Sequence, residues 1–418
     1  MHSKATKVLR ARPANVSGKR TVRSPRHATP GPPLRVAKRA KAGAETSAQY
    51  YALVVPGLED IAAAELKGAG ATVTETISRV DKRDGFVLFR TDDVDAALRC
   101  GTLEDVFQVV LDASSPPARG APRQAARGLE RAAIERALLT HNALRPGKRG
   151  RSYKVVARVA GQHPFRREDV EHAFARALDG MLAKWVPARD RAALELWVHV
   201  IGPPPAARPR GPRPAPSRPP ATRAKPGPGR IIAGVRLSDD TLAQRAWKQA
   251  HLPASLKPTV ARALVRLADL RRGEAVADPM CGAGTILREA AESSWGLTLL
   301  GGDIDPTALA AATANAGKQA SLAWWDACQL PLGDRTVDAV VTNPPYGRQH
   351  EVVAGLDRLY RRLTRECARV LRPGGRAVVL TGEPTTLLEA LPKNLRVRSK
   401  RRLLLRGLPV TAFVIVRE

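Results

Sequence analysis

The sequence predicts an α/β protein: a C-terminal half built on a doubly wound, mostly parallel sheet, and an α+β N-terminal half. Three observations predict it. From residue 275 onward, short apolar runs alternate with helical patterns, as parallel strands buried on both faces require. A stretch rich in Pro, Ala and Arg over 203–229 divides the globular part in two and reads as an extended linker. Hydrophobic residues make up 44% of 418 positions, enough for two cores and too many for a wholly disordered chain.

In the N-terminal half, 51–55 reads as a strand, and Leu58, Ile61, Ala62 and Leu66 then fall at helical spacing. GFVLFR at 85–90 and the run 152–159 read as strands. Val170, Phe174, Leu178, Met181, Leu182 and Trp185 line one face of a helix, and 193–201 closes the half with a strand. This order predicts two small α/β sandwiches side by side.

In the C-terminal half, 275–278 is a strand running into a Gly-rich turn, followed by a helix over 285–293. Strands at 297–303, 322–326 and 337–342 follow, with a helix at 306–316. Leu356, Leu359, Tyr360, Leu363, Cys367 and Val370 mark an amphipathic helix that RPGG at 372–375 stops. Strands at 376–380 and 412–416 complete a Rossmann-like domain.

The formal net charge is +30, and its excess is uneven. Residues 1–44 hold twelve Lys or Arg and 203–230 hold seven more, with no acid in either segment. Neither has the apolar content to order itself, so both read as polycationic arms suited to a polyanion, above all nucleic acid. Pro13, Pro25, Pro30, Pro32 and Pro33 argue against an amphipathic targeting helix. No apolar run approaches the ~18 residues of a membrane span, so an integral membrane protein is not expected, and the cysteines fit a reducing cytoplasm. The four cysteines form no C-x-x-C pair and the histidines show no ligand spacing, so neither a disulfide framework nor a metal site is expected.

In a doubly wound sheet, ligands sit beyond the carboxyl ends of the strands. DPMCGAGT, 278–285, places Gly282 and Gly284 in a turn between strand and helix, where absent Cβ atoms let a ligand approach the backbone. The dinucleotide fingerprint G-x-G-x-x-G fails, because Leu287 occupies its third glycine position. Asp303, ending the next strand, is placed to take a ribose diol, while Asp305 before Pro306 reads as a helix N-cap. Asp326, ending the third strand, can accept from an adenine amino group. After the fourth strand comes VTNPPYG, 341–347. Two prolines fix the backbone and leave carbonyls without matching N–H donors, and the Asn343 amide oxygen adds an acceptor beside them. A planar exocyclic amine can donate both its N–H groups there, with Tyr346 stacking on its ring.

DPMCGAGT, GGDID, WDA and NPPYG, in this order and spacing, resemble class I S-adenosyl-L-methionine-dependent methyltransferases acting on exocyclic amines. PASLKPTVARA, 253–263, is similar to the segment preceding the first motif in THUMP-domain RNA guanine-N2 methyltransferases. YALVVPGLEDIAAAEL, 51–66, looks like the ferredoxin-like module of that family, and SYKVVARVAGQHPFRREDVEHAF, 152–174, like a THUMP core. The resemblance implies a basic tail over 1–47, a ferredoxin-like module over 48–115, a THUMP domain over 116–202, the linker over 203–229 and the catalytic domain over 230–418. It implies N2-methylguanosine formation in the tRNA acceptor stem by a monomer with no metal. Asp278, Met280, Cys281, Gly282, Gly284 and Thr285 would form the cofactor loop. Asp303 and Ile304 would hold the ribose end, and Asp326 with Ala327 the adenine. Asn343, Pro344, Pro345 and Tyr346 would hold the target guanine, Asn343 also bordering the cofactor. Lys257 and Thr259 would meet the methionine carboxylate, and Arg348 RNA phosphate or cofactor. Other acceptors for the same motif are ribosomal RNA guanine and adenine N6. A non-catalytic RNA-binding protein is the rival of a different class, and a cysteine-nucleophile methyltransferase the least supported.

Overall fold

The structure, a computed structural model, describes residues 48–78, 84–145, 150–202, 229–238, 241–253, 255–346 and 355–418. The expected basic tail, nearly all of the 203–229 linker, Gly347 and Arg348 lie outside the described residues. In chain order the N-terminal half comprises β1 (Gln49–Val54), α1 (Glu59–Gly68), β2 (Thr72–Ile77), β3 (Gly85–Arg90), α2 (Val94–Leu98), β4 (Leu103–Ser115), α3 (Ala121–Arg127) and α4 (Arg131–Leu144). It continues with β5 (Ser152–Ala160), α5 (Arg167–Asp179), β6 (Val186–Pro187), β7 (Leu194–Ile201) and β8 (Gly229–Arg236).

These strands form one eight-stranded sheet in the order β2-β3-β1-β4-β8-β7-β5-β6. Two separate sandwiches are therefore corrected to one continuous sheet. Its spine is β4, thirteen residues long, which pairs antiparallel with both β1 and β8. Strand β8 belongs here too, between β4 and β7, so the N-terminal half reclaims the residues just after the linker that a boundary at 230 gives to the catalytic domain. The sheet coils strongly. Arg230 on β8 reaches Glu75 on β2 at 2.8 Å and Asp112 on β4 at 2.6 Å, although β2 lies four strand positions away, about 19 Å in a flat sheet. The concave face is packed with Tyr51, Phe86, Phe107, Trp197 and His199. Burial, with Arg158 nearby, pushes the His199 imidazole down to about 3, so it is a neutral core residue.

The C-terminal half comprises α6 (Pro258–Ala268), β9 (Ala275–Asp278), α7 (Thr285–Ser293), β10 (Thr298–Asp303), α8 (Pro306–Ala316), β11 (Ser321–Trp324) and β12 (Val337–Thr342). Then come α9 (Leu356–Val370), β13 (Leu371–Thr381), α10 (Pro384–Glu389), β14 (Leu395–Leu405) and β15 (Leu408–Arg417). The seven strands run β11-β10-β9-β12-β13-β15-β14. The first five are parallel, and β15 inserts antiparallel between β13 and β14. This is the doubly wound sheet expected from the apolar runs. Order reverses between β9 and β12, which opens a crevice at their carboxyl ends.

The halves share a core and a set of polar clamps. Val55, Leu58 and Ile61 pack with Val260, Leu264, Leu403 and Val410. Gly57, with φ +97°, lies so close to Arg402 that a Cβ would stand 2.2 Å from its carbonyl oxygen, and the Leu404 N–H donates to the Pro56 carbonyl at 3.0 Å. Glu289 is fully buried, with Arg245 at 2.8 Å and Arg262 at 2.6 Å on its two oxygens. Arg245 also donates to the Gly101 carbonyl at 2.6 Å, so one buried carboxylate organises cations that reach both halves. Among the described residues, no helix is long and apolar enough to cross a membrane.

Candidate active site

The strand ends at the crevice carry Asp278 on β9, Asp303 on β10 and Asn343 just beyond β12, with Asp326 two residues after β11. They converge because parallel in-register strands end together: Gly301 pairs with Asp278, and Asp303 with Trp324. The glycine loop is held from below. The Gly282 N–H donates to Asp303 Oδ2 at 2.9 Å and the Cys281 N–H to the Gly302 carbonyl at 3.0 Å. Gly282 and Gly284 have φ of +51° and +71°, the left-handed region that side chains disfavour. A Cβ at Gly282 would point into open space, whereas one at Gly284 would meet Ala312 at 3.1 Å. The first glycine leaves room for a ligand; the second permits close packing of α7 on α8.

Asp278 is buried at 1% exposure and its Oδ1 accepts the Met280 N–H at 3.3 Å. Burial first, and Asp303 last, push its carboxyl up to about 7, opposed by the Thr342 hydroxyl that faces it and by the Met280 N–H. That hydroxyl makes no well-formed hydrogen bond, and neither does the buried Asn343 Oδ1 beside it. An unpartnered buried acceptor costs stability unless a ligand donates to it. Thr285 Oγ1 is a third such atom, at the start of α7. Burial pushes the Cys281 thiol strongly up, and Asp278 and Asp303 add to the effect. It stays protonated and is no nucleophile.

Asp303 Oδ1 accepts the Asp305 N–H at 3.1 Å, so the carboxylate spans the strand end and the glycine loop. Asp305 caps α8 by accepting the Thr307 N–H at 2.8 Å, as expected from its place before Pro306. Ile304 is exposed, and its carbonyl accepts the Trp324 indole N–H at 2.9 Å. Asp326 Oδ1 accepts the Cys328 N–H at 2.8 Å, and Ala327 is buried beside it. Tyr346 lies against Gly382, where a Cβ would meet its ring at 2.8 Å.

Lys257 and Thr259 are the exception. Lys257 Nζ and Thr259 Oγ1 donate to the two oxygens of Glu104 at 2.8 and 2.5 Å. These two side chains clamp the catalytic half to β4 at the start of α6. The sequence reading also passed over residues that support the loop from a distance. Asn315, buried on α8, donates to the Ala283 and Ala250 carbonyls at 2.8 and 2.9 Å. The Trp325 indole donates to the Pro279 carbonyl at 2.9 Å, and its ring fills the space that a Cβ at Gly302 would need. Only the small-residue pair Gly301–Gly302 hinted at that close approach.

Acceptor carboxylates at successive strand ends, a glycine cradle with open space and an unpartnered amide oxygen suit S-adenosyl-L-methionine, with its ribose diol, adenine amine and cationic sulfonium. The fold and site thus define a class I S-adenosyl-L-methionine-dependent methyltransferase. Comparison with known proteins agrees. The UPF0020 family model, described as RMKL-like methyltransferase domain, matches residues 245–406. The tRNA (guanine(6)-N2)-methyltransferase of Thermus thermophilus is 32% identical over 357 residues, covering 83% of this chain and 92% of that protein. The protein of the same name from Archaeoglobus fulgidus is 25% identical over 80% of this chain and 83% of its own length. The crystal structure of TrmN from Thermus thermophilus superposes with a TM-score of 0.67 at 28% identity, covering 88% of this chain and 99% of that one. The chain belongs to this family of tRNA guanine-N2 methyltransferases.

Proposed function

We propose that this protein transfers a methyl group from S-adenosyl-L-methionine to the exocyclic N2 of a guanine in the acceptor stem of tRNA, at position 6, making N2-methylguanosine. The observation that carries the proposal is the buried, unpartnered Asn343 Oδ1 immediately after β12, next to a Pro-Pro pair whose ring nitrogens bear no hydrogen. The position is the one for which the Thermus thermophilus and Archaeoglobus fulgidus relatives are named, which match over 83% and 80% of this chain.

The cofactor supplies a methyl group already activated on a sulfonium, so the protein's own contribution is binding and alignment. Asp303 takes the ribose diol with Ile304 against it, Asp326 and Ala327 border the adenine, and the loop Asp278–Thr285, with Met280, Cys281, Gly282 and Gly284, wraps the rest. Asn343 Oδ1 and the Pro344 carbonyl accept the two N2 hydrogens, which turns the nitrogen lone pair toward the methyl. Pro345 fixes the turn and Tyr346 stacks on the base. Asn343 is uncharged and stabilises the developing positive charge without abstracting a proton beforehand. A guanine in a stem must first leave its stack, at a cost of a few kcal/mol. Binding elsewhere offsets that cost. A cleft of about 1220 Å³ in the N-terminal half, between α3 and α5, is lined by Arg119, Arg123, Arg127, Arg166, Arg176 and His172. This surface suits phosphate contacts to a structured RNA. The residues in the ranges expected for the ferredoxin-like and THUMP modules would form this grip, with the molecule working as a monomer in the cytoplasm.

The test uses the full chain, unmodified tRNA and labelled cofactor, with nucleoside mass spectrometry and site mapping. N2-methylguanosine at position 6 is expected from the native protein. Asn343→Ala is expected to lose about 100-fold or more in turnover, the scale of removing one preorganised polar group, with S-adenosylhomocysteine and tRNA affinities close to native. N6-methyladenosine as product, or comparable turnover in the variant, would overturn the assignment.

A further inference from the structure

The outer face of α9 carries a feature that the cofactor and base sites do not use. Its first three turns hold Arg358, Arg361, Arg362 and Arg365, at spacings of three and four residues that place them on neighbouring positions of one flank. Arg358, Arg361 and Arg365 are exposed and Arg362 half-buried. Among the described residues, none of the four has an ion pair, and the adjacent Asp357 bridges to none of them. The arginines that follow behave differently. Arg369 pairs with Glu366 at 2.7 Å and Asp334 at 2.9 Å, Arg372 pairs with Asp338 at 2.5 Å, and Arg376 pairs with Glu274 at 2.6 Å.

Folding alone disfavours such a stripe. Arg358 with Arg362, and Arg361 with Arg365, are like charges four residues apart. Arg358 also lies in the first turn, where the backbone dipole repels cations. The site gives the arrangement its meaning. Tyr360, on the same turns, donates or accepts a 2.7 Å hydrogen bond with Thr381, and the next residue, Gly382, abuts the Tyr346 ring. On the other flank Cys328, two residues past Asp326, feels both Arg362 and Arg358, which oppose the upward push of burial and of Asp326 on its thiol. The start of α9 therefore lies beside both the adenine end of the cofactor site and the base pocket, and the unpaired cations lead outward from it along the helix.

We propose that the Arg358–Arg361–Arg362–Arg365 stripe binds the phosphodiester backbone of the RNA strand flanking the extruded base. It is a second RNA contact, separate from the N-terminal cleft, that holds the distorted stem at the reaction centre. This rests on the RNA-methyltransferase reading above and adds the catalytic half's own share of the grip. Phosphate contacts carry no base information, so the stripe fixes register while the pocket selects guanine.

The experiment compares the full chain with Arg361→Gln/Arg365→Gln and Arg358→Gln/Arg362→Gln. Arg271→Gln/Arg272→Gln serves as a control of equal charge change, at the opposite ends of the strands. Glutamine keeps helix propensity comparable, and melting temperature checks the fold. The dissociation constant for tRNA is measured from 50 to 200 mM salt, alongside S-adenosylhomocysteine affinity. Two lost phosphate contacts lower the slope of log affinity against log salt by about 1.4–1.8, so the native advantage shrinks about tenfold across that range. KM for tRNA is expected to rise more than kcat falls, with S-adenosylhomocysteine affinity unchanged and the control native. An unchanged slope, an equal loss in the control pair, or weakened S-adenosylhomocysteine binding in place of weakened tRNA binding would overturn the proposal. Because the native protein is assayed in parallel, failure to form N2-methylguanosine would mark the parent reading, not the stripe alone, as wrong.

Discussion

Asp278→Asn tests the electrostatics of the cofactor crevice directly. The native carboxyl is buried and holds its proton up to about pH 7, against an ordinary value of 3.8. At 1.36 kcal/mol per pH unit, the ionised form is penalised by about 4 kcal/mol in the folded protein. Between those two values the folded chain binds a proton that the unfolded chain does not, so stability falls as pH rises through the window, with the full cost present above pH 7. Asparagine has nearly the same shape, still offers an oxygen to the Met280 N–H and can donate to the unpartnered Thr342 hydroxyl. It carries no charge to desolvate. The variant is therefore expected to match the native protein below about pH 4 and to exceed it by up to about 4 kcal/mol at pH 8. With an unfolding entropy of about 2.1 cal/mol/K per residue over the roughly 325 described residues, that is about 6 °C in melting temperature. Thermal melts of both proteins without cofactor, every half pH unit from 4.5 to 8.5, measure it. A constant offset across that range, or a variant less stable at pH 8 than at pH 5 relative to native, would refute the assignment of a neutral, desolvated carboxyl at this strand end.

Two further outcomes follow from the interface and from the charge distribution. Glu289→Ala leaves Arg245 and Arg262 facing each other with no counter-charge. It is expected to destabilise the protein by about 3–5 kcal/mol in denaturant titration; a loss under about 1 kcal/mol would mean that solvent reaches the pair. Removing residues 1–44, which hold twelve cations and no acid, is expected to weaken tRNA binding and flatten its salt dependence. Each lost phosphate contact takes about 0.7–0.9 from the slope, and an unchanged slope would leave the segment with no part in binding.

The parts of the molecule legible in the sequence are those whose physics is local. Parallel strands buried on both faces must be short and apolar, so AVAD, TLLGGD and VDAVVT announce themselves. The first two end at Asp278 and Asp303 and the third runs into Asn343, which together mark the crevice. The N-terminal half is harder because its strands carry charges whose partners lie far along the chain. Strand β4 contains Glu104, Asp105 and Asp112, charges that Lys257, Arg236 and Arg230 neutralise from far along the chain. Strand β14, LRVRSKRRLLL, is a sheet edge, where cations are tolerated and protect against edge-to-edge pairing. Strand β8 looks like the opening of the next domain because its partners, β4 and β7, both precede the 203–229 stretch.

The same division shows at Lys257 and Thr259. Their motif is local and sits beside the cofactor loop in sequence, but Glu104, 153 residues from Lys257 and 155 from Thr259, claims both side chains. Chemistry at the strand ends is written in contiguous motifs because the reacting atoms must meet within a few ångströms. The placement of that chemistry on a large RNA is written in pairs such as Glu104–Lys257 and Glu289–Arg245, which no window of sequence contains. A relative with the same strand-end motifs and different clamp residues can therefore keep the reaction and change the nucleotide it reaches. Exchanging the clamps, rather than the pocket, is where a shift in methylated position should be sought.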